Sequence, residues 1–442
     1  MWQIFRKKQQ AKDGQQTPML PLRVVVMGRD DNATIGFRKV LVENLSKIGF
    51  LNVLSEESSI AHDFLASGHK NFFDFFDNGM KVLKKHIADV VVCFEQQNNN
   101  VCFNFLTQDM YVANTPPFFS ALHTLYLPVS YFQKEDLPPA VVNLLAGTCI
   151  GLSLHKDERY RQVLGKIVNV LSKNKKPQGI EKAFMPHILL FLALNFLASK
   201  TAHFEKKDVN LVLSLINSAY QLKTQEYDAV LEGGLLSVLG QMYQCGAHVK
   251  NADASVMTER AIESYRKALK YFNRYIFPYD YGRLCVVLAK LYFTFFKLSD
   301  ERQALRDAIF YMREAEKIFT VTGFPKLWAD IQGDLGEYLT HSGVCSGNKE
   351  IVDIAIQHYK NRQRVYEREA NPDEWGCAEK NIADAYYYIG KNTEHSGYLE
   401  KASVHYFAAL DAFHDAKDKA RAEMTEVAVQ KTNEKILRLK NK

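Results

Sequence analysis

The sequence predicts an α-dominated protein in which a small N-terminal α/β domain is followed by an α-solenoid. Three observations support this fold class. Short runs of β-branched and other apolar residues, which are typical of strands, occur between residues 22 and 129. From residue 180 onward the apolar residues recur at helical spacing, and no convincing strand is present. An internal repeat of 47 residues covers much of this second part.

The predicted α/β domain extends over residues 21–171. Its five candidate strands are 22–27, 50–54, 88–94, 101–106 and 125–129. Three asparagines between the third and fourth strands predict a hairpin turn. A helix is predicted after the first strand, with Asn32 or Thr34 as its cap and Gly49 as its end. Two more helices are predicted over 137–154 and 160–171.

Polar segments flank this domain. Residues 1–20 form a basic tail that we expect to be flexible and solvated. The alternative is a weak contact with a membrane surface, because aromatic residues lie beside three cations at the start of this tail. Residues 172–179 are predicted as a linker, because Pro and Gly interrupt a charged stretch. Residues 180–442 then form the helical repeat domain with a C-terminal cap.

Several features of the second part recur every 47 residues. Alanine followed four residues later by a large side chain occurs at Ala261, Ala308, Ala355 and Ala402. Proline, which cannot continue a helix, ends a connection at Pro278, Pro325 and Pro372. A small residue that permits close helix packing follows at Ala289, Gly336 and Ala383. Each unit is therefore predicted to be a helix pair whose apolar faces are covered by neighbouring units.

This pattern resembles the tetratricopeptide repeat (TPR) family. In that family a Leu-Gly-x-x-Tyr helix is followed by an Ala-x-x-x-Phe helix and a later proline. Here Leu335-Gly336 matches the first element, and Ala355 with Tyr359 matches the second. The repeat is longer than in the family, with 47 residues against about 34. The last unit lacks Pro and Trp at positions 419 and 422, and its polar end is predicted to be a terminal cap.

The α/β domain has a first strand, a helix ending at residues 45–50, and a strand from Ala88 followed by a hairpin. In these features it is similar to the TolB-like amino-terminal domain of bacterial proteins that also carry such repeats. A receiver-like domain is the competing interpretation, because Asp30 and Asp31 follow the first strand. Against it, the strand at 88–94 ends without an aspartate that could accept phosphate, and a hairpin does not suit a parallel sheet.

No catalytic or metal-binding motif occurs in the sequence. The segment 28–36 lacks the Gly-Lys-Ser/Thr ending of a P-loop and is predicted to be a strand-to-helix turn. Its alternative is a small ligand loop formed by Gly28, Asp30, Asp31, Asn32 and Thr34. The histidines and cysteines show no zinc spacing, and no Gly-x-Ser-x-Gly elbow is present. We therefore expect no enzymatic activity, no metal and no cofactor.

The composition excludes several classes of protein. Lys and Arg number 56 and Asp and Glu 50, so the net charge of +6 does not require nucleic acid as a partner. No apolar run is long enough to span a bilayer. The seven scattered cysteines indicate reduced thiols in a reducing compartment. We expect a bacterial, cytoplasmic protein.

The resemblance to TPR proteins implies a binding function. In that family the Leu-Gly helices line a concave groove. Carried over to this sequence, the groove residues are Gln241, Gln244, Arg283, Lys290, Phe293, Asp330, Glu337, Lys380, Asp384, Tyr387 and Tyr388. We expect a non-enzymatic scaffold or adaptor that binds a protein partner or a second copy of itself; an ordinary solvated face is the simpler interpretation. The alternative function is a regulatory sensor whose α/β domain binds a small ligand or nucleotide.

Overall fold

The computed structural model describes residues 19–28, 32–57, 69–112, 116–173, 182–200, 204–223 and 228–441. The chain divides into two compact units, Met1–Asp280 and Tyr281–Lys442. Most of the basic tail and most of the predicted linker lie outside the described residues. So do Asp30, Asp31 and the side chain of Asn32 in the predicted ligand loop.

The first unit contains a five-stranded mixed sheet with the strand order β2-β1-β3-β4-β5. The strands are β1 (Leu22–Gly28), β2 (Leu51–Glu56), β3 (Val90–Gln97), β4 (Asn100–Leu106) and β5 (Leu125–Pro128). β1 pairs in parallel with β2 and β3, whereas β4 is antiparallel to both β3 and β5. Each strand lies within three residues of its predicted bounds, and the small N-terminal α/β domain is confirmed.

Helices cover the sheet because β1 and β3 are nearly continuous apolar runs that need burial on both faces. The helices are α1 (Asn32–Ser46), α2 (His69–His86), α3 (Pro139–Gly151) and α4 (Arg159–Lys173). Leu41 and Leu45 of α1 are completely buried. Gly79 of α2 lies against Leu106 of β4, where a Cβ atom would be only 2.1 Å from the leucine side chain.

Four further helices lie among the described residues of the first unit. They are α5 (Met185–Lys200), α6 (Lys206–Leu222), α7 (Ala229–Gly246) and α8 (Ala254–Leu269). Together with the turn before it, α5 is long and apolar enough to cross a membrane, but 67% of that stretch is buried inside the protein. It packs on α3, α4, α6, α7 and β5. These contacts are those of a core helix, which explains its lack of a polar face.

The second unit is a series of helices in which neighbours along the chain pack on each other. Its helices are α9 (Pro278–Ser299), which begins within the first unit, α10 (Arg302–Glu316), α11 (Pro325–Ser346), α12 (Lys349–Gln363), α13 (Pro372–Thr393), α14 (Ser396–Asp415) and α15 (Lys419–Lys440). The α-dominated fold class is confirmed by this series.

The 47-residue period fixes where the longer helices begin. α9, α11 and α13 each start at one of the periodic prolines and each contain 22 residues. Proline is tolerated there because the first residue of a helix needs no N–H donor. α15 starts at Lys419, the next periodic position, and also has 22 residues although it lacks the proline. The Asp418 carboxylate caps this helix by accepting a hydrogen bond from the Arg421 N–H at 3.0 Å.

Small residues at the predicted packing positions Gly336 and Ala383 lie against aromatic rings of the next helix. A Cβ atom added to Gly336 of α11 would be 2.5 Å from the Tyr359 ring of α12. Ala383 of α13 packs in one buried cluster with Tyr406 of α14. In the first unit a Cβ atom on Gly240 would be 2.8 Å from the Tyr265 ring. The small residue therefore sets how closely its helix approaches the next helix of the chain.

A three-residue polar contact also recurs with the period. In one copy, Gln332 Nε2 donates to Glu316 at 2.5 Å, and His358 Nδ1 lies 2.7 Å from Gln332 Oε1. In the next copy, Gln363 Nε2 donates to Glu379 at 2.7 Å, and His405 Nδ1 lies 2.6 Å from Glu379 Oε2. Each copy links three successive helices, but the glutamate and the glutamine have exchanged places.

Candidate functional site

The predicted groove residues differ widely in exposure. Gln241, Arg283 and Phe293 are buried, so their side chains cannot line an open groove. The Phe293 ring of α9 packs against the Tyr338 ring of α11, with ring centroids 4.3 Å apart. The residues that are half-buried or exposed are Gln244, Lys290, Asp330, Glu337, Lys380, Asp384, Tyr387 and Tyr388.

Three carboxylates lie on one face of α11. Asp330, Asp334 and Glu337 follow each other at spacings of four and three residues, which brings them onto adjacent turns. Lys290 of α9 pairs with Asp334 at 3.4 Å, and Arg362 of α12 pairs with Asp330 at 3.5 Å. Asp334 was not among the predicted site residues, although its helical spacing from its two neighbours was a signal for it.

The polar face continues on α13, which packs against α11. Lys380 donates to Asp384 at 2.7 Å, and the Tyr406 hydroxyl donates to the same carboxylate at 2.5 Å. Tyr359 lies close to both helices. Burial is the main cause of the raised pKa of its hydroxyl, and the charges of Glu337 and Asp384 raise this pKa further. We call this surface the charged face; it consists of Lys290, Asp330, Asp334, Glu337, Lys380 and Asp384.

Burial and neighbouring cations act in opposite directions on the carboxylates of the charged face. Burial raises the pKa of Asp330, Asp334 and Glu337 above their usual values. Arg362 opposes this increase at Asp330, Lys290 opposes it at Asp334, and Lys297 and Lys290 oppose it at Glu337. The carboxylates also raise one another's pKa, Asp334 that of Asp330 and Glu337 that of Asp334. An additional cation bound here would stabilise the ionised carboxylates.

Asp334→Asn is expected to raise the free energy of unfolding at pH 7. When folding raises the pKa of an acid, the folded state becomes less stable as the pH rises above the pKa of that acid in the unfolded chain. For Asp this pKa is near 3.8. The variant should therefore differ most from the parent at neutral pH and converge with it as the pH is lowered towards 4. Urea unfolding across this pH range measures the difference. Glu423→Gln on exposed α15 is the control; a loss of stability at pH 7 in Asp334→Asn alone would contradict the prediction.

Gln241 shows how a helix of this kind holds an irregular segment of the chain. Gln241 follows the small residue Gly240, just as Glu337 follows Gly336. Its buried carboxamide accepts a hydrogen bond from the Phe118 N–H at 2.7 Å and donates to the Phe118 carbonyl at 3.4 Å. Residues 117–120 have no regular secondary structure. One side chain therefore satisfies both backbone groups of a residue in an irregular segment, as a neighbouring strand would.

The predicted ligand loop is described only in part. Gly28 ends β1, and a Cβ atom there would lie 2.4 Å from Thr34 and 2.6 Å from the Phe94 ring. Thr34 is completely buried in the first turn of α1. Among the described residues, no group of three or more His, Cys, Asp or Glu side chains is placed to hold a metal ion.

Comparison with known proteins assigns no family to the chain. No family model matches it, and a search of the curated proteins found no match. The charged face and the Gln241 contact are therefore the features from which a function is inferred.

Proposed function

We propose that the protein is a non-enzymatic scaffold or adaptor whose TPR-like repeats bind an extended, basic segment of a partner protein on the charged face. The observation that carries this proposal is the Gln241 contact with the Phe118 backbone. Lys290, Glu337 and Asp384 occupy the corresponding position after the small residue in the later repeats. Their side chains are half-buried rather than buried, so the equivalent surface is accessible to a segment from another chain.

The charge of the face favours a basic partner. Three carboxylates, Asp330, Asp334 and Glu337, lie on adjacent turns of α11, so a lysine or arginine of the partner gains Coulomb attraction there. Such interactions mainly increase specificity and the rate of association. Tyr388, with 41% of its surface exposed, adds an aromatic contact of the kind enriched at protein interfaces.

The cysteines support a location in a reducing compartment, which we take to be the bacterial cytoplasm. All seven cysteines are free thiols, and five of them are buried. Burial raises the pKa of Cys102, Cys149, Cys245 and Cys285 to about 12. Protonated, buried thiols are poor nucleophiles, so these cysteines fit a role in packing.

Selection from a random peptide library with the full-length protein tests the proposal. We expect the selected peptides to be rich in Lys and Arg. Glu337→Lys should weaken their binding about tenfold or more, because it replaces an attraction by a repulsion. The matched control is Glu423→Lys, which makes the same charge change at an exposed position on α15.

Two results would contradict the proposal: selected peptides without basic residues, or equal binding to the Glu337→Lys and Glu423→Lys variants. Circular dichroism of both variants ensures that a loss of binding is not a loss of helix. Light scattering of the parent protein identifies the remaining case, in which the partner is a second copy of the chain, since the mass would then exceed that of one chain.

A further inference from the structure

We propose that the helical repeats attach to the surface of an anionic lipid bilayer through one exposed face of α10. This face, which we call the basic stripe, consists of Arg302, Arg306, Phe310, Arg313 and Lys317. The contact is separate from the charged face and does not depend on the scaffold function. It would bring the protein, and whatever its repeats hold, to a membrane surface.

Helical spacing brings the five side chains of the basic stripe together. α10 extends over Arg302–Glu316, and its cap residue Lys317 also has helical backbone angles. Successive residues of an α-helix lie about 100° apart around the axis, so the five members fall within an arc of about 80°. All five are exposed, and no acidic residue of α10 lies within this arc. Four positive charges therefore line one strip of the helix surface.

An exposed aromatic ring lies among these cations. Phe310 is 57% exposed. Its ring contacts that of Tyr311 in a T-shaped arrangement with centroids 5.2 Å apart, and Tyr311 stacks on Tyr292 of α9 at 5.6 Å. A side chain that is supported in this way loses little conformational entropy when it binds a partner. Phe310 is therefore suited to act as an apolar anchor.

The helical repeat itself does not require the basic stripe. At the positions 47 residues away, α8 carries Glu259 and Glu263, α12 carries Asp353, and α14 carries Glu400 and Asp411. Among these four helices, only α10 has four cations and an aromatic ring at the five positions. Exposed helix positions contribute little to stability. The concentration of charge on α10 therefore points to a binding partner rather than to the fold.

Two acidic residues of α10 lie beside the basic stripe and neutralise only part of it. Both Asp307 and Glu314 are half-buried. Asp307 accepts a hydrogen bond from Gln303 at 2.9 Å, and Glu314 pairs with Lys317 at one end of the stripe. Arg306 Nε donates to the uncharged Gln303 side chain at 2.9 Å. Most of the positive charge is therefore available to an anionic surface.

The combination of cations with an apolar ring indicates the kind of partner. Anionic headgroups attract Lys and Arg side chains. Aromatic side chains collect at the boundary between the headgroups and the acyl chains, where Phe310 can insert. A nucleic acid duplex also attracts cations, but its sugar-phosphate backbone offers no apolar layer for the ring. These properties favour a lipid surface.

Sedimentation of the full-length protein with large vesicles tests the proposal. One set of vesicles contains phosphatidylcholine alone, and in the other about a third of the lipid is phosphatidylglycerol. We expect the protein to bind the anionic vesicles only. This binding should be lost at about 1 M salt, where electrostatic interactions are screened within about 3 Å.

Variants of the basic stripe separate its charge from its apolar anchor. Arg306→Glu/Arg313→Glu should lower the partition onto the anionic vesicles at least about tenfold, because each cation near such a surface contributes about fivefold. Phe310→Ser should lower it about fivefold, because the apolar contact is lost. The binding that remains in Phe310→Ser should keep its dependence on salt.

Matched controls make the same changes on other helices. Lys431→Glu/Arg438→Glu reverses two exposed cations of α15 that are also seven residues apart. Phe407→Ser removes a ring of α14 that is 52% exposed. Both controls should bind as the parent does, and circular dichroism verifies the helix content of every variant. Since Arg306→Glu/Arg313→Glu retains the basic N-terminal tail, its loss of binding assigns the contact to α10.

Several results would overturn the proposal. One is equal binding to the neutral and the anionic vesicles, or binding to neither. Another is full binding by Arg306→Glu/Arg313→Glu, or an equal loss in this variant and in Lys431→Glu/Arg438→Glu. Binding to duplex DNA without binding to the anionic vesicles would identify a nucleic acid as the partner instead.

Discussion

Gly336→Leu is expected to lower the free energy of unfolding by about 3 kcal/mol, a typical upper value for overpacking a tight helix contact. A Cβ atom at this position would be 2.5 Å from the Tyr359 ring, and Tyr359 itself is buried. A leucine therefore forces α11 and α12 apart or drives the ring from its position. The gain in helix propensity on replacing glycine, about 0.8 kcal/mol, is too small to offset this cost. Chemical denaturation followed by circular dichroism measures the change.

The same substitution at Gly36 is the matched control. Gly36 lies inside α1, is exposed, and would have nothing within 4 Å of an added Cβ atom. Gly36→Leu should therefore leave stability unchanged or raise it slightly. The double variant Gly336→Leu/Tyr359→Ala should recover part of the loss, because the added side chain then fills the space of the ring. If the double variant is as unstable as the sum of its two single variants, the Tyr359 contact is not the cause.

Gln241→Leu is expected to lower the free energy of unfolding by about 2–4 kcal/mol. Its carboxamide is completely buried and bonds both the N–H and the carbonyl of Phe118. Leucine fills a similar volume but removes these hydrogen bonds from two backbone groups, each of which costs about 1–3 kcal/mol when left unsatisfied. The variant should also expose the segment around Phe118, so limited proteolysis with chymotrypsin should cut there faster than in the parent.

Gln244→Leu, on the same helix, separates this effect from a general loss of polarity. Gln244 is only half-buried, and the Tyr265 hydroxyl donates to it at 3.2 Å. We expect a cost below about 1 kcal/mol for this variant, which is the usual worth of one partly exposed hydrogen bond. Equal costs for the two variants would show that the contact with Phe118 contributes little stability.

Local patterns were sufficient to predict most of the fold. The strands could be predicted because runs such as 22–28 and 90–94 combine β-branched residues with sharp polar ends. The starts of α9, α11 and α13 could be predicted because proline marks each of them. The start of α15 could not, since an aspartate cap replaces the proline there.

The candidate sites depended on contacts that no local pattern contains. The partner of Gln241 is 123 positions away in the chain, so its burial could not be predicted from its own helix. Phe293 was predicted to line the groove, yet its ring packs against Tyr338 of another helix. In each case a neighbour in space, rather than in sequence, determines the role.

The exchange of glutamate and glutamine between the two copies of the polar contact makes consecutive repeats non-interchangeable. A helix series built from near-identical pairs is prone to assembly errors in which one pair takes the place of the next. Such an error would bring Glu316 against Glu379 in place of Gln332, and two carboxylates would then share a buried position. The correct order instead places one glutamate against one glutamine at both interfaces. Buried polar pairs of this kind act against misassembly, because only the correct order of the helices avoids contact between two carboxylates.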